Sequence, residues 1–225
     1  NWRIACADSV LVTSLRLRFW PAASEWARQA TAILNDAYHR QFHADGSHYE
    51  HTPNYHTWMT YIMTGLWTLG RNRPDLELVM EADAVARMWD YALSCTRPNG
   101  SFNGLHDCRT RNQGPYGMGH DAFPVAADRR AFRRAAGLPE KDPPPSRLFP
   151  DAGQALCRTD WSEDAMAVTF DATRDGGGHC HLSRNSVQIY AFRRGLLVDP
   201  AVSSYDFKQP VNRYVRSTPA HSTCS

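Results

Sequence analysis

GGGHCHLSRNSVQIYAFRRGLLVDPAVSSYDFKQPVNRYVRSTPAH, residues Gly176 to His221, is the stretch on which the reading of this chain turns. Val187, Ile189 and Ala191 recur at the period of two that a strand imposes, and Gly195-Leu-Leu-Val198 reads as a short buried strand. Ligand-type side chains are spaced along it: His179 and His181 two residues apart, Asp199 at the end of the apolar run, His221 beyond. Residues i and i+2 of extended chain share a face, so His179 and His181 can serve one site, one as ligand and the other beside it. Two imidazoles and a carboxylate suit a divalent transition metal, zinc foremost. In a chain with 10 His, an H-x-H pair also arises by chance. Spacing by itself leaves both readings open.

Outward from this stretch, the strand pattern extends back to Phe149-Pro150, with Met166, Val168 and Phe170 alternating with smaller residues. Before it the period is helical. Ile4, Ala7, Val10, Leu11, Ser14, Leu15 and Leu17 predict a helix from Trp2 to about Phe19. Pro21 and a Ser24 cap announce a second, with Trp26, Ala30, Ile33, Ala37, Tyr38 and Phe42 on its apolar face, ending by the turn Asp45-Gly46. Thr52-Pro53 starts a third, because Pro fits the first turn, where its missing N–H is not needed. Trp58, Met59, Ile62, Met63, Leu66 and Leu69 carry it to Gly70. Val85, Met88, Trp89 and Ala92 mark a fourth, about Leu78 to Cys95. Residues 98–148 are rich in Gly, Pro, Asn and charge, with one short helix expected at Ala126 to Ala136, and read as a connecting region. The expectation is an α+β protein: a helical domain over 1–97, the connection over 98–148 and a sheet portion over 149–225.

Composition narrows the function. A net charge of +2 is too small to argue for nucleic acid, although a local basic cleft suited to an acidic glycan is compatible with it. No apolar run reaches the length of a membrane span. Cys6, Cys95, Cys108, Cys157, Cys180 and Cys224 lack C-x-x-C spacing, so free buried thiols are expected rather than a zinc ribbon or redox pair. The chain begins with Asn1 inside a helical pattern, so the natural start, and any signal peptide with it, is expected to lie upstream.

His179-Cys-His181, the strand and Gly-Leu-Leu-Val-Asp199-Pro200 after it, Tyr205, and Arg-Ser-Thr-Pro-Ala-His221 together resemble the C-terminal part of the heparinase II/III-like polysaccharide lyases. Asp45-Gly-Ser-His-Tyr-Glu50-His-Thr-Pro-Asn-Tyr55-His56 is similar to an upstream segment of the same family, in the right order. The resemblance implies partial (α/α) toroid helices followed by an antiparallel β-sandwich portion, hence a fragment. It also implies a periplasmic or secreted location and β-elimination on an anionic, uronic-acid-containing polysaccharide. That chemistry needs a donor to neutralise the uronate carboxylate, a base for the C5 proton and an acid for the departing oxygen.

By resemblance Tyr55 is the central acid and a candidate base, His179 the catalytic histidine, and Asn1, followed by Trp2, the carboxylate-neutralising amide. His181, Asp199 and His221 match the zinc ligands, with the zinc in a structural role. At the start of the third helix the dipole is expected to favour Tyr55 phenolate. Glu50, His56 and Tyr205 are candidate substrate-binding residues. Ser183 stands where relatives often carry Asp, and Ala201 where Gly commonly follows the Asp-Pro pair, which puts support around the metal in question. Two other functions compete: a non-catalytic glycan-binding protein with aromatic platforms such as Trp58 and Trp89, and a hydrolase using a zinc-activated water. Oligomeric state and the identity of the polymer stay open.

Overall fold

The computed structural model describes residues 1–109, 124–174, 177–202 and 204–223. Gly176 and Cys224 lie outside them. Among the described residues five helices come first: α1 (Trp2–Arg16), α2 (Ala23–Gln41), α3 (Pro53–Asn72), α4 (Ala82–Ser94) and α5 (Val125–Ala135). Five strands follow among the same residues: β1 (Arg147–Phe149), β2 (Gln154–Arg158), β3 (Ala167–Asp171), β4 (Ser186–Ala191) and β5 (Arg194–Leu197). A short α6 (Pro210–Tyr214), which the sequence pattern did not announce, precedes the last residues. The strands form one antiparallel meander in the order β1-β2-β3-β4-β5. The chain is thus α+β, helices before strands.

The helical core fills as the periodicity requires. Ile4 and Leu11 of α1, Leu34 of α2, Met59, Met63 and Leu66 of α3, Met88 and Trp89 of α4 and Phe132 of α5 are buried in one cluster. Each such side chain taken from water contributes about 1.5–3 kcal/mol. α3 begins as expected, with Thr52 extended at φ −104° and Pro53 in the first turn. Other boundaries differ. α2 starts at Ala23 with Ala22 at its cap and no side-chain cap, so Ser24 does not cap it. Trp26 lies on its exposed side. α4 starts at Ala82 rather than near Leu78, because Pro74–Leu76 makes a 3-10 turn and Glu77 adopts φ +52°.

The sheet corrects the sequence reading more sharply. The alternation found the strands, and on β3 the apolar residues lie on the exposed face. On β3, Val168 and Phe170 are exposed while Thr169 and Asp171 are buried. All four residues of β5 are exposed, so the run ending at Val198 is not a buried strand. The helical half covers the polar face. A buried polar group left without a partner costs about 1–3 kcal/mol, and this layer supplies partners: Tyr91 Oη donates to Gln154 Oε1 at 2.7 Å. Gln154 Nε2 donates to Asp171 Oδ1 at 3.2 Å, and the Gly104 N–H to Gln188 Oε1 at 3.1 Å.

A small apolar cluster of Tyr91, Cys95, Phe149, Ala152 and Leu156 closes the junction. Asp45 Oδ2 clasps it from outside, accepting from the Asp151 N–H at 2.9 Å and the Ala152 N–H at 3.2 Å. The 98–148 region is more than a solvated connection. Phe102, Leu105 and Cys108 are buried between the halves, and Val125 and Phe132 of α5 join the helical core. Cys95 and Cys108 are buried thiols as expected, whereas Cys6 and Cys157 are exposed.

Candidate active site and metal centre

The segment before α3 is pinned so that the first turn of that helix meets the sheet. Gly46 adopts φ +92°, and a Cβ there would sit 2.4 Å from the Arg87 carbonyl carbon, so only glycine fits. Asp45 Oδ1 accepts from the Ser47 N–H at 3.0 Å and closes the turn. Glu50 is buried and accepts from Asn1 Nδ2 at 2.9 Å. Asn1 is itself only 6% exposed, so its amide sits beside the α3 start rather than in open solvent. His56 is turned the other way. It is wholly buried, bonded to the Met88 carbonyl at 2.8 Å and packed edge-on against Tyr91, so it does not line a groove. Trp89 is also buried, its indole N–H donating to Thr64 Oγ1 at 3.0 Å, so it cannot offer a platform to a glycan.

From the sheet side, the loop after β3 brings His179 onto Tyr55. The two rings stack with centroids 4.3 Å apart and planes 19° from parallel. Gly177 makes the approach possible: a Cβ there would lie 2.9 Å from both Glu50 Cγ and Tyr49 Cε2. Tyr205 completes the group, its Oη 2.9 Å from Tyr55 Oη and 3.4 Å from His179 Nδ1. Arg216 latches the loop by donating to the Gly178 carbonyl at 2.7 Å and the Cys180 carbonyl at 3.0 Å.

Burial raises the Tyr55 phenol above its ordinary value; the Tyr205 hydrogen bond opposes this and the Asp107 charge adds to it. Burial thus opposes the phenolate that the helix start favours. In this site Tyr55 is a protonated phenol at neutral pH, suited to donating.

His181, Asp199 and His221 come together in one buried group whose candidate ligand atoms lie within 4.8 Å of one another. Asp199 Oδ2 meets His221 Nδ1 at 2.5 Å, and Asp199 Oδ1 accepts from the Ala201 N–H at 2.9 Å. His181 Nδ1 and His221 Nε2 are buried without a hydrogen-bond partner among the described residues. Two orphaned imidazole nitrogens beside a buried carboxylate are the donor set of a tetrahedral zinc site, so the residues fit the ion. Ala201 takes the left-handed φ of +54°, the conformation that a glycine at this position would adopt freely. Ser183 does not touch the ligands; its Oγ donates to Asp171 Oδ2 at 3.1 Å.

Sequence reasoning missed two residues here, both in the supposed connection. Asp107, with its side chain fully buried, lies 2.9 Å from His179 Nδ1 and 2.7 Å from His181 Nε2, with Arg216 Nη1 at 3.4 Å. Burial pushes its carboxyl up, but the two histidine hydrogen bonds and Arg216 outweigh that and hold it below the usual carboxylate range. His106, at φ +59°, accepts the His181 N–H on its Nδ1 at 3.2 Å. The visible signal was a His-Asp pair shortly after the Asn99-Gly100 turn, two ligand-type residues in a segment otherwise read as a joiner.

Comparison with known proteins agrees with this architecture. The family model for the heparinase II/III N-terminus matches residues 1–126, and that for the heparinase II/III-like C-terminal domain matches residues 141–225. No curated protein sequence matches. Among solved structures, a mutant of heparan sulfate lyase HepC from Pedobacter heparinus is similar over 99% of this chain and 36% of its own, at 19% identity and a TM-score of 0.76. A heparinase III, the BT4657 gene product, is similar over 96% of this chain and 35% of its own, at 17% identity and a TM-score of 0.74. Another heparinase III structure is similar over 97% and 38%, at 14% identity and a TM-score of 0.76. This chain therefore spans little more than a third of the length of these structural relatives. With two family models covering nearly all of it, the chain belongs to the heparinase II/III family.

Proposed function

We propose that this chain forms part of a polysaccharide lyase that cleaves a uronic-acid-containing polymer by β-elimination, with His179 as base and Tyr55 as acid. The observation that supports this reading is the Tyr55–His179 stack at 4.3 Å, a phenol from the helical half side by side with an imidazole from the sheet half. Named relatives act on heparan sulfate, an anionic glycan, which supports the substrate class.

In the proposed mechanism the Asn1 amide, which donates to Glu50 at 2.9 Å, also hydrogen-bonds the uronate carboxylate and makes the C5 proton more acidic. The unprotonated nitrogen of His179 removes that proton. Tyr55, kept protonated by its burial, gives its proton to the glycosidic oxygen as the C4–O bond breaks, and the electron pair from C5 becomes the C4=C5 double bond. Tyr205, bonded to Tyr55, orients the phenol; before the next turnover solvent takes the C5 proton from His179 and returns a proton to Tyr55. His181, Asp199 and His221 would hold a structural zinc, which when bound braces the sheet-side loops. Their burial supports a structural rather than a hydrolytic ion, since a hydrolase needs an open, wet fourth position.

The test is incubation of the intact protein with heparan, alginate and glucuronan polymers. The reading expects rising ultraviolet absorbance from a conjugated double bond on at least one. No rise on any of them contradicts it.

A further inference from the structure

We propose that Asp107 is the positioning residue of this site, a single carboxylate that sets the proton on two histidines with different tasks. The inference rests on the lyase reading for His179 and on the donor set for His181, and goes beyond both by assigning the group that makes each histidine fit its task.

An ionised carboxylate accepts hydrogen bonds and donates none. Asp107 Oδ2 lies 2.9 Å from His179 Nδ1, and Oδ1 lies 2.7 Å from His181 Nε2. Each of these nitrogens must therefore carry the hydrogen. A neutral imidazole with its proton on one nitrogen has its lone pair on the other. His179 is thereby left with a bare Nε2, the atom that can take a proton from substrate. His181 is left with a bare Nδ1, which is buried and has no partner among the described residues. The two histidines receive opposite tautomers from the two oxygens of one side chain.

The placement is over-determined, as a positioning group requires. The Asp107 side chain is fully buried, and its backbone N–H donates to the His179 carbonyl at 3.1 Å, so backbone and side chain both grip the loop. Neighbouring His106 takes the His181 N–H, and Arg216 adds a charge at 3.4 Å from Asp107 Oδ2 while holding the carbonyls on either side of His179. The segment 106–107 thus does for this loop what an Asp at position 183 could have done; Ser183 spends its hydroxyl on Asp171 instead.

Asp107→Asn tests this in the intact protein. An amide offers one acceptor oxygen and one N–H face, so it can satisfy only one of the two histidines in its present tautomer. In serine-protease triads the same exchange lowers kcat about 10⁴-fold through the wrong tautomer, and loss of a carboxylate behind a metal-bound histidine weakens metal binding about 10–100-fold. The expected result is a kcat at least about 100-fold lower with KM changed by less than about threefold. Zinc affinity, read by chelator competition, should fall in the same variant. A folded D107N protein with kcat and zinc affinity both within about threefold of wild type overturns the inference.

A second measurement uses no substitution at Asp107 and no activity. Selective ¹⁵N-histidine spectra of the wild-type protein, with the His179 signal identified by its loss in His179→Gln, should show Nδ1–H on His179. Nε2–H on His179 overturns the proposal even if D107N does not fold. A wild type inactive on every uronate polymer defeats the lyase reading alone, because the tautomer measurement still decides the role of Asp107.

Discussion

Acid should release the segment that presents Tyr55 well before carboxylates titrate. His56 and His51 flank Tyr55 in the Asp45–His56 stretch and are 0% and 6% exposed. Burial lowers both from 6.5 to about 4, against a Met88 carbonyl bond that favours the charged form of His56. His48, also buried, is displaced in the same direction. The fold therefore favours neutral imidazole. Stability from these groups is fully present above pH 6.5, is lost as pH falls because the unfolded chain takes up protons first, and stops falling below about pH 4. A fall from 6.5 to about 4 is worth about 3 kcal/mol per histidine, of which about 2 kcal/mol is gone by pH 5. His51 and His56 together should thus remove about 4 kcal/mol between pH 7 and pH 5, a large share of the usual 5–15 kcal/mol. Urea unfolding at constant ionic strength measures this. His56→Gln, whose amide can still donate to the Met88 carbonyl, should reduce the pH 7 to pH 5 difference by about 2 kcal/mol. A wild-type difference below about 1 kcal/mol over that range would mean that the fold does not hold these imidazoles neutral.

Three further outcomes follow from the site. Tyr55→Phe keeps the ring that stacks on His179 and removes only the hydroxyl, so kcat should fall about 10²–10⁴-fold with little loss of fold; unchanged kcat removes Tyr55 from the chemistry. Gly177→Ala places a methyl against Tyr49 and Glu50 two residues before His179, and should cost activity by displacing the loop while the melting temperature stays within a few degrees; wild-type activity would show that the close approach is not needed. Stripping zinc from a saturated site at about 1,000 times its Kd should remove about 4 kcal/mol and lower Tm by about 10 °C, and identical melts with and without chelator would count against a bound ion.

Much of the architecture was legible in the sequence because it rests on local period and end signals. Thr52-Pro53 marked the start of α3, and the apolar stripe from Trp58 to Leu69 marked its course. What the pattern could not tell was which face of the sheet meets the helices. Val168 and Phe170 marked the alternation of β3, yet its buried face carries Thr169 and Asp171; Asp171 is held by Gln154, which Tyr91 of α4 bonds in turn, and Gln188 of β4 accepts from Gly104, far away in the chain. Pairing of that kind has no local signature. The site divided along the same line. His179, His181, Asp199 and His221 were visible as a spaced set of ligand types, while Asp107 stood alone in a turn-rich segment and gained meaning only when the fold laid it against His179 and His181. His56 was misplaced because its neighbour Tyr55 faces the site and a helix turns successive residues by about 100°.

Cleavage by elimination and cleavage by hydrolysis differ in the mass of the products. A uronate oligosaccharide of defined length should be cut by the intact protein into two fragments whose masses sum to that of the substrate, one of them bearing the C4=C5 double bond. Fragments whose masses together exceed the substrate by one water, with no unsaturated end, would contradict it.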